Sequence, residues 1–293
     1  MNRKGFKDKI MNIIKDILKG VLIGLANIIP GVSGGTMMVS MGIYDKLIHC
    51  ITHLFKELKK SILFLIPIVI GMGIALVGGS FTIEKLFEMF PFQTSLCFVG
   101  LVVGGLPAMW KNVKGNKIKP GHIIAFAIFF AVVVVMALMG ETEGNAADLS
   151  FSFINVVKLV MIGVIAAATM VIPGVSGSMM LLLLGYYNPI LSAITDFFSA
   201  LAAFDINGLI KGFGILFPFG VGVLVGIFAI AKLIEIIFAK FPMYAYWAII
   251  GLIVASPIAI IAMGEFTTIG VLTVIGAIVS FAAGFIVAMK LGE

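Results

Sequence analysis

Long apolar runs, separated by short polar turns, cover almost the whole chain. They lie at roughly 13–29, 36–54, 61–79, 94–110, 121–140, 154–172, 179–201, 209–231, 243–262 and 267–289. These runs lack the polar and apolar alternation of lipid-facing barrel strands, and most approach the 20 or so residues that a membrane helix needs. The pattern therefore predicts an all-α polytopic membrane protein.

Composition supports this prediction and narrows the function. The 293 residues are 61% apolar and 12% charged, with a mean hydropathy of +1.20, whereas a soluble domain carries about 25% charged residues. The net charge of +6 does not indicate nucleic acid, because the lysines cluster at segment ends. There they report topology and contact anionic membrane lipids.

One short motif occurs in each half of the chain. Residues 28–35 read Ile-Ile-Pro-Gly-Val-Ser-Gly-Gly, and residues 171–178 read Val-Ile-Pro-Gly-Val-Ser-Gly-Ser. The match continues outward, for example from Gly42 to Gly185, and each half holds five apolar segments. We therefore divide the chain into a first repeat half, 1–150, and a second, 151–293, which together form one transmembrane domain.

Loop charges predict that the second half is inverted. The N-terminal arm and the 111–119 loop are rich in lysine, which places them on the cytoplasmic side, whereas the 141–148 loop carries only acids. The first half then makes an odd number of crossings, so the second half begins outside. An inverted-topology duplication with cytoplasmic termini follows, of the kind that secondary transporters use.

Each motif breaks an apolar run, and its freed backbone groups require protein or water around them. Segments 13–54 and 154–201 either span fully or form re-entrant hairpins. Lys15, Asp16 and Lys19 make the first segment start at the interface, which leaves about ten residues before Pro30, half a membrane at about 1.5 Å per residue. We therefore favour re-entrant hairpins, with a first tip (28–36) and a second tip (171–178) approaching the bilayer centre from opposite sides.

The tip residues suit an anion. Proline ends a helix, glycine lets a ligand approach the backbone, and serine caps the next helix, whose N-terminus attracts phosphate. The first tip has the more polar residues, because its Asn27 and Thr36 correspond to Met170 and Met179. Tight turns at close helix contacts are the alternative interpretation. The expected substrate-binding residues are Asn27, Pro30, Gly31, Ser33, Gly34, Gly35, Thr36, Pro173, Gly174, Ser176, Gly177 and Ser178.

Other polar residues give weaker signals. Asp45, Asn188 and Lys158 are candidates for the substrate pathway or simply for the membrane interface. His49 and His53 are four residues apart, but no third ligand is near them in sequence, so no metal site is expected. No phosphate-binding loop and no general base near the motif serines is visible, so we expect neither an enzyme nor a bound cofactor. A coupling proton or sodium ion stays open.

The segment Asn27–Thr36 and the second copy, Pro173–Gly177, resemble the doubled motif of the prokaryotic polyprenyl-phosphate (undecaprenyl-phosphate) transporter family. The resemblance spans most of the chain. The resemblance implies a plasma-membrane flippase that returns this lipid carrier to the cytoplasmic leaflet for cell-envelope and peptidoglycan synthesis. From the inverted halves we expect it to work by alternating access. A secondary transporter of a small anion and a non-transporting scaffold subunit are the alternatives. Oligomeric state, energy source and direction of net transport are left open by the sequence.

Overall fold

The computed structural model describes residues 3–28, 32–139, 144, 146–262, 264, 266 and 270–292. Pro30 and Gly31 of the predicted site lie outside this described part. Within it, every regular element is a helix, which confirms the all-α prediction. The helices are α1 (Arg3–Ile28), α2 (Gly34–Ser40), α3 (Tyr44–Thr52), α4 (Leu58–Ile74), α5 (Ser80–Met89), α6 (Pro91–Gly104), α7 (Leu106–Val113), α8 (Pro120–Met139), α9 (Phe153–Val171), α10 (Gly177–Leu183), α11 (Tyr187–Ala202), α12 (Ile206–Lys240), α13 (Pro242–Ala262) and α14 (Val271–Gly292), with a π-helical turn, Ala75–Gly79, between α4 and α5.

Seven stretches of the described chain are long and apolar enough to cross a membrane. They are Leu58–Gly79, Pro91–Val113, Pro120–Met139, Phe153–Val171, Ile206–Lys240, Pro242–Ala262 and Val271–Gly292. Several expose large apolar side chains on their outer faces, such as Ile128 on α8, Leu224 on α12 and Ile278 on α14. Such faces are stable in lipid and costly in water. The protein is therefore a multi-pass membrane protein.

Four helix pairs make the frame of the molecule: α1 with α4, α9 with α12, α6 with α14, and α8 with α13. The first two pairs form within one half of the chain, and the last two join the halves. A core of buried apolar side chains from both halves fills the space between them, including Ile23, Met37, Val102 and Ile253. Residues on both sides of position 150 therefore share one apolar core.

Glycine permits the closest of these helix contacts. A Cβ on Gly71 of α4 would overlap the carbonyl oxygen of Ile17 in α1. The same contact recurs in the second half, where a Cβ on Gly222 of α12 would overlap the carbonyl oxygen of Val160 in α9. Lipid provides no hydrophobic force between helices, so such backbone-to-backbone packing supplies much of the attraction.

The hydropathy pattern alone indicated one continuous helix for the second apolar segment of each half. In the structure each of these segments is broken. Residues 36–54 are divided into α2 and α3 at Gly42, and residues 179–201 into α10 and α11 at Gly185. Both glycines have positive φ, 65° and 73°, and the next residue's N–H bonds five residues back in each case. This is a glycine-terminated helix end, which apolar runs conceal because its flanking residues are apolar as well.

The contact between α9 and α12 gives a stability prediction. We expect Gly222→Ala to lower the melting temperature of the detergent-solubilised protein, because the new methyl group meets backbone that cannot rotate away. Overpacking of this kind typically costs about 1–3 kcal/mol.

Gly220 is the matched control, since it lies on the same helix and a Cβ added there would have no neighbour within 4 Å. We expect Gly220→Ala to leave the melting temperature unchanged or slightly raised, because alanine favours helix over glycine. Equal melting temperatures for the two variants would contradict the role assigned to Gly222.

Candidate functional site

The two tips lie against each other in the interior. The Gly174 N–H donates a hydrogen bond to Thr36 Oγ1 at 2.7 Å, between residues 138 positions apart. Gly35 packs on the same segment, where a Cβ would lie 3.1 Å from Pro173 Cα. The structure thus brings together two motifs that the sequence only repeats.

Each tip is held by a different local bond. In the first tip, the Gly34 N–H at the start of α2 donates to Asn27 Oδ1 at 3.2 Å. In the second, Ser176 caps α10 and accepts from the Met179 N–H at 3.5 Å. Ser33 occupies the matching position before α2 but makes no side-chain capping bond, so the expectation that it caps this helix is wrong. Asn27 satisfies that helix end instead.

The tips differ in accessibility, in the opposite sense to their polarity. Ser33 is 7% exposed and Thr36 is fully buried, with the Thr36 hydroxyl engaged by the second tip. In the second tip, Ser176 is half-buried and Ser178 is exposed, and their Oγ atoms lie 3.0 Å apart. The hydroxyl groups that a ligand reaches in this conformation therefore belong to the second tip, and Thr36 joins the tips instead.

The helices that follow the tips are short. Helices α2 and α10 have seven residues each, so few peptide dipoles align behind either N-terminus. The expectation that the helix N-termini attract phosphate stays a prediction, and it depends here on individual backbone N–H groups more than on a long dipole. The individual donors at the second tip are what the site offers to an anion.

Tyr44 connects α3 to the second tip. Its side chain is buried at the start of α3, and its hydroxyl donates to the carbonyl oxygen of Val171 at 3.0 Å. That carbonyl belongs to the last residue of α9, directly before the second break. The bond satisfies a backbone acceptor at a helix end, where intrahelical partners run out.

The three pathway candidates do not converge on the tips. Asp45 is exposed, accepts a long hydrogen bond of 3.5 Å from the Tyr246 hydroxyl, and lines a cavity of about 370 Å³. Asn188 lines a separate cavity of about 60 Å³, and Lys158 is exposed near the start of α9. Of the tip residues that the structure describes, none lines either cavity.

Sequence reasoning missed one cluster. One imidazole nitrogen from each of His49 and His53 and one carboxylate oxygen of Glu235 all lie within 4.8 Å of one another. The histidine spacing was visible in the sequence, but Glu235 comes from α12, far along the chain. Only the packing of α3 against α12 supplies this third group.

Membrane-length helices around a paired internal break define a multi-pass α-helical membrane protein. The chain belongs to the undecaprenyl phosphate translocase-like family, whose model matches residues 23–275. It is 33% identical to a polyprenyl-phosphate transporter of Staphylococcus aureus over 282 aligned residues, and the alignment covers 95% of each chain. It is 30% identical over 219 residues to a polyprenyl-phosphate transporter of Vibrio cholerae, which covers 70% of this chain and 68% of the other.

These relatives support a transporter role for this protein. No solved structure matches the chain.

The contact between the tips gives a second prediction. We expect Thr36→Val to lower the free energy of unfolding by about 1–3 kcal/mol, because the Gly174 N–H loses its acceptor inside the protein. Valine matches threonine in shape, so the change tests the hydroxyl rather than the packing.

Thr169→Val is the matched control. The Thr169 hydroxyl is also buried but donates to the Ala166 carbonyl within its own helix, so its loss leaves no N–H group without an acceptor. The melting temperatures of both variants in detergent provide the measurement, and a Thr36→Val protein as stable as Thr169→Val would contradict the assignment.

Proposed function

We propose that this protein translocates undecaprenyl phosphate, or a related polyprenyl phosphate, across the prokaryotic plasma membrane and so recycles the lipid carrier for cell-envelope synthesis. The observation that carries the proposal is the meeting of the two tips, with Thr36 bonded to Gly174. A paired break between two parts of one membrane protein is where transporters place their substrate. The names of the two relatives give the substrate class.

The second tip suits a phosphate head group that must be released again. Ser176 and Ser178 provide two neighbouring hydroxyl groups, and Gly177 lies between them with its backbone half-exposed. Neither tip motif contains a lysine or an arginine. Uncharged donors bind an anion without the strong ion pair that would hold it, as transport requires.

Apolar side chains beside this tip suit a lipid tail. Met170 is 53% exposed and lies next to Gly177, whereas Leu184, at the far end of α10, is 39% exposed. A soluble anion requires a closed aqueous path, whereas a polyprenyl phosphate requires its head group in a polar site and its tail in lipid. Accessible hydroxyl groups flanked by exposed apolar side chains favour the lipid.

Helix pairing supports the proposed inverted repeat. If α1, α4, α6 and α8 correspond to α9, α12, α13 and α14, then the pair α1–α4 repeats as α9–α12, and the pair α6–α14 repeats as α13–α8. Each helix thus has the equivalent partner, which a pseudo-two-fold axis requires. In our proposal the halves rock about the joined tips. A proton gradient, a sodium gradient or the concentration difference of the lipid carrier itself supplies the energy and sets the direction of net transport.

Helix lengths bear on both arrangements that the sequence leaves open. Helix α9, at 19 residues, is long enough to span the membrane, whereas the short helices after the tips fit the proposed re-entrant hairpins. Helices α2 and α10, at seven residues, reach about 10 Å, a third of the hydrocarbon core. Helices α10 and α11 are bent by 108° at Gly185. A chain that advances so little and then turns returns towards the face from which it came.

The proposed topology predicts the sidedness of two loops. In a chain whose Cys50 and Cys97 are replaced by alanine, we expect a membrane-impermeant maleimide to label Asn207→Cys in intact cells and Asn116→Cys only after lysis. Asn116 lies among the lysines of the 111–119 loop, which the positive-inside rule retains in the cytoplasm.

Both positions are exposed in the structure, so lysed cells provide the control for reactivity. Labelling of both positions in intact cells, or of Asn116→Cys alone, would refute the inverted arrangement.

Transport itself is tested by leaflet-resolved movement of undecaprenyl phosphate in proteoliposomes that contain only this protein. We expect the double variant Ser176→Ala/Ser178→Ala to slow transport by about tenfold or more, because hydrogen bonds to a charged group contribute about 1.5–3 kcal/mol each. We expect Ser33→Ala/Ser176→Ala to abolish transport while the protein remains folded, because it removes a hydroxyl from each tip and so affects both of the alternating conformations in which one tip binds.

Ser192→Ala/Ser199→Ala is the matched control, since both serines are exposed on α11 away from the tips. Full activity in the tip variants would contradict the role of the tip hydroxyl groups in binding the substrate. Transport of inorganic phosphate without the lipid would favour the small-anion alternative. No transport of either under pH, sodium and voltage gradients would favour a scaffold.

A further inference from the structure

A second polar cluster lies where α3 packs against α12, apart from the tips. His49 and His53 are one helical turn apart, and their rings stack with centroids 4.3 Å apart and an interplanar angle of 23°. Glu235 comes from α12, and its Oε1 lies 3.3 Å from His53 Nδ1. The three side chains are exposed or half-exposed, so ions in solution have access to them.

We propose that His49, His53 and Glu235 bind a divalent transition-metal ion, with Zn²⁺ the best match. Two imidazoles and one carboxylate are ligands that Zn²⁺ uses in proteins, and two histidines four apart on a helix direct their rings to one side. In a tetrahedral site with bonds of about 2.0 Å, ligand atoms lie about 3.3 Å apart. Atoms already within 4.8 Å of one another reach that spacing by small side-chain rotations.

The surroundings orient the carboxylate. Lys232 Nζ donates to Glu235 Oε2 at 2.6 Å, which leaves Oε1 directed at His53. Carboxylate ligands of metals are commonly oriented by such an outer hydrogen bond. The adjoining cavity of about 370 Å³ holds the Asp45 carboxylate as well. The Asp45 carboxylate adds negative charge, and the cavity admits the water that completes a site with three protein ligands.

The metal would join the two halves of the chain. Helix α3 belongs to the hairpin that carries the first tip, and α12 belongs to the second half. A metal bridge between them restrains any motion of one against the other. In the alternating-access mechanism proposed above, on which this consequence rests, bound Zn²⁺ inhibits transport; binding itself does not depend on that mechanism.

Zn²⁺ binding to the purified, tag-free protein in detergent is the primary test, by calorimetric titration and by the melting temperature after chelator treatment. We expect one saturable site and a rise of about 5 °C or more at saturating Zn²⁺. Mg²⁺, which prefers oxygen ligands, should give no such shift. His49→Ala and Glu235→Gln should each weaken Zn²⁺ binding at least about tenfold, since even the loss of an outer-shell partner has an effect of that size.

Glu57→Gln is the matched control, because Glu57 is also paired with a lysine three residues away but lies outside the cluster. His49 makes no ion pair among the described contacts of the cluster, so His49→Ala removes one candidate ligand and the ring that stacks on His53 but leaves both members of the His53–Glu235 ion pair in place. No saturable binding by the wild-type protein, or equal affinity in His49→Ala, Glu235→Gln and Glu57→Gln, would overturn the site.

The same variants in proteoliposomes test the consequence for transport. We expect Zn²⁺ to inhibit the wild type and the Glu57→Gln variant and to spare His49→Ala. Tight binding without inhibition of an active transporter would overturn the bridge between the halves but not the site. Absence of transport in metal-free wild-type protein would count against the proposed function alone, because the titration in detergent measures binding separately.

Discussion

The constraint on which the structure depends is that a backbone group freed inside a membrane protein must find a partner within the protein. Each Pro-Gly-Val-Ser-Gly motif interrupts a helix and frees such groups. The hydrogen bond from Gly174 to Thr36, and that from Tyr44 to Val171, satisfy backbone groups of the second break with side chains from the first half. One half of the chain thus stabilises the irregular segment of the other, and neither break is tolerable in lipid alone.

A second constraint, close helix packing, explains the distribution of small residues. It is met where α1 with α4 and α9 with α12 place glycine against backbone. A Cβ on Gly71 or on Gly222 would overlap a carbonyl oxygen of the neighbouring helix. Outward-facing glycines such as Gly73 and Gly220 have no neighbour within 4 Å, so glycine content alone does not identify a packing position. Contact across the helix pair decides it.

The hydrophobic pattern predicted the all-α fold and most spans, because lipid imposes length and apolarity directly on sequence. The repeat identified the two segments that meet, since both copies break an apolar run. It did not identify the breaks at Gly42 and Gly185, whose apolar neighbours hide them, nor the engagement of Thr36 by Gly174. Burial, which makes Ser178 accessible and Ser33 not, depends on contacts across the whole fold. The grouping of Glu235 with His49 and His53 likewise arises from helix packing and has no local signal.

The asymmetry between the tips bears on how such a site can work. Identical tips would offer a substrate equal binding from either half, but here Asn27 lies against Gly34 where Met170 lies against Gly177. In the first tip the polar side chain binds the backbone N–H of Gly34 and so competes for a donor that a phosphate would use. In the second, methionine cannot compete in this way, and the hydroxyl groups of Ser176 and Ser178 remain accessible. In a mechanism with two alternating conformations, the conformation described here therefore presents the second tip. For the first tip to bind an anion, the other conformation must break the bond between Asn27 and Gly34 or the bond between Thr36 and Gly174. The free-energy difference between the two conformations then depends on these hydrogen bonds as well as on the substrate.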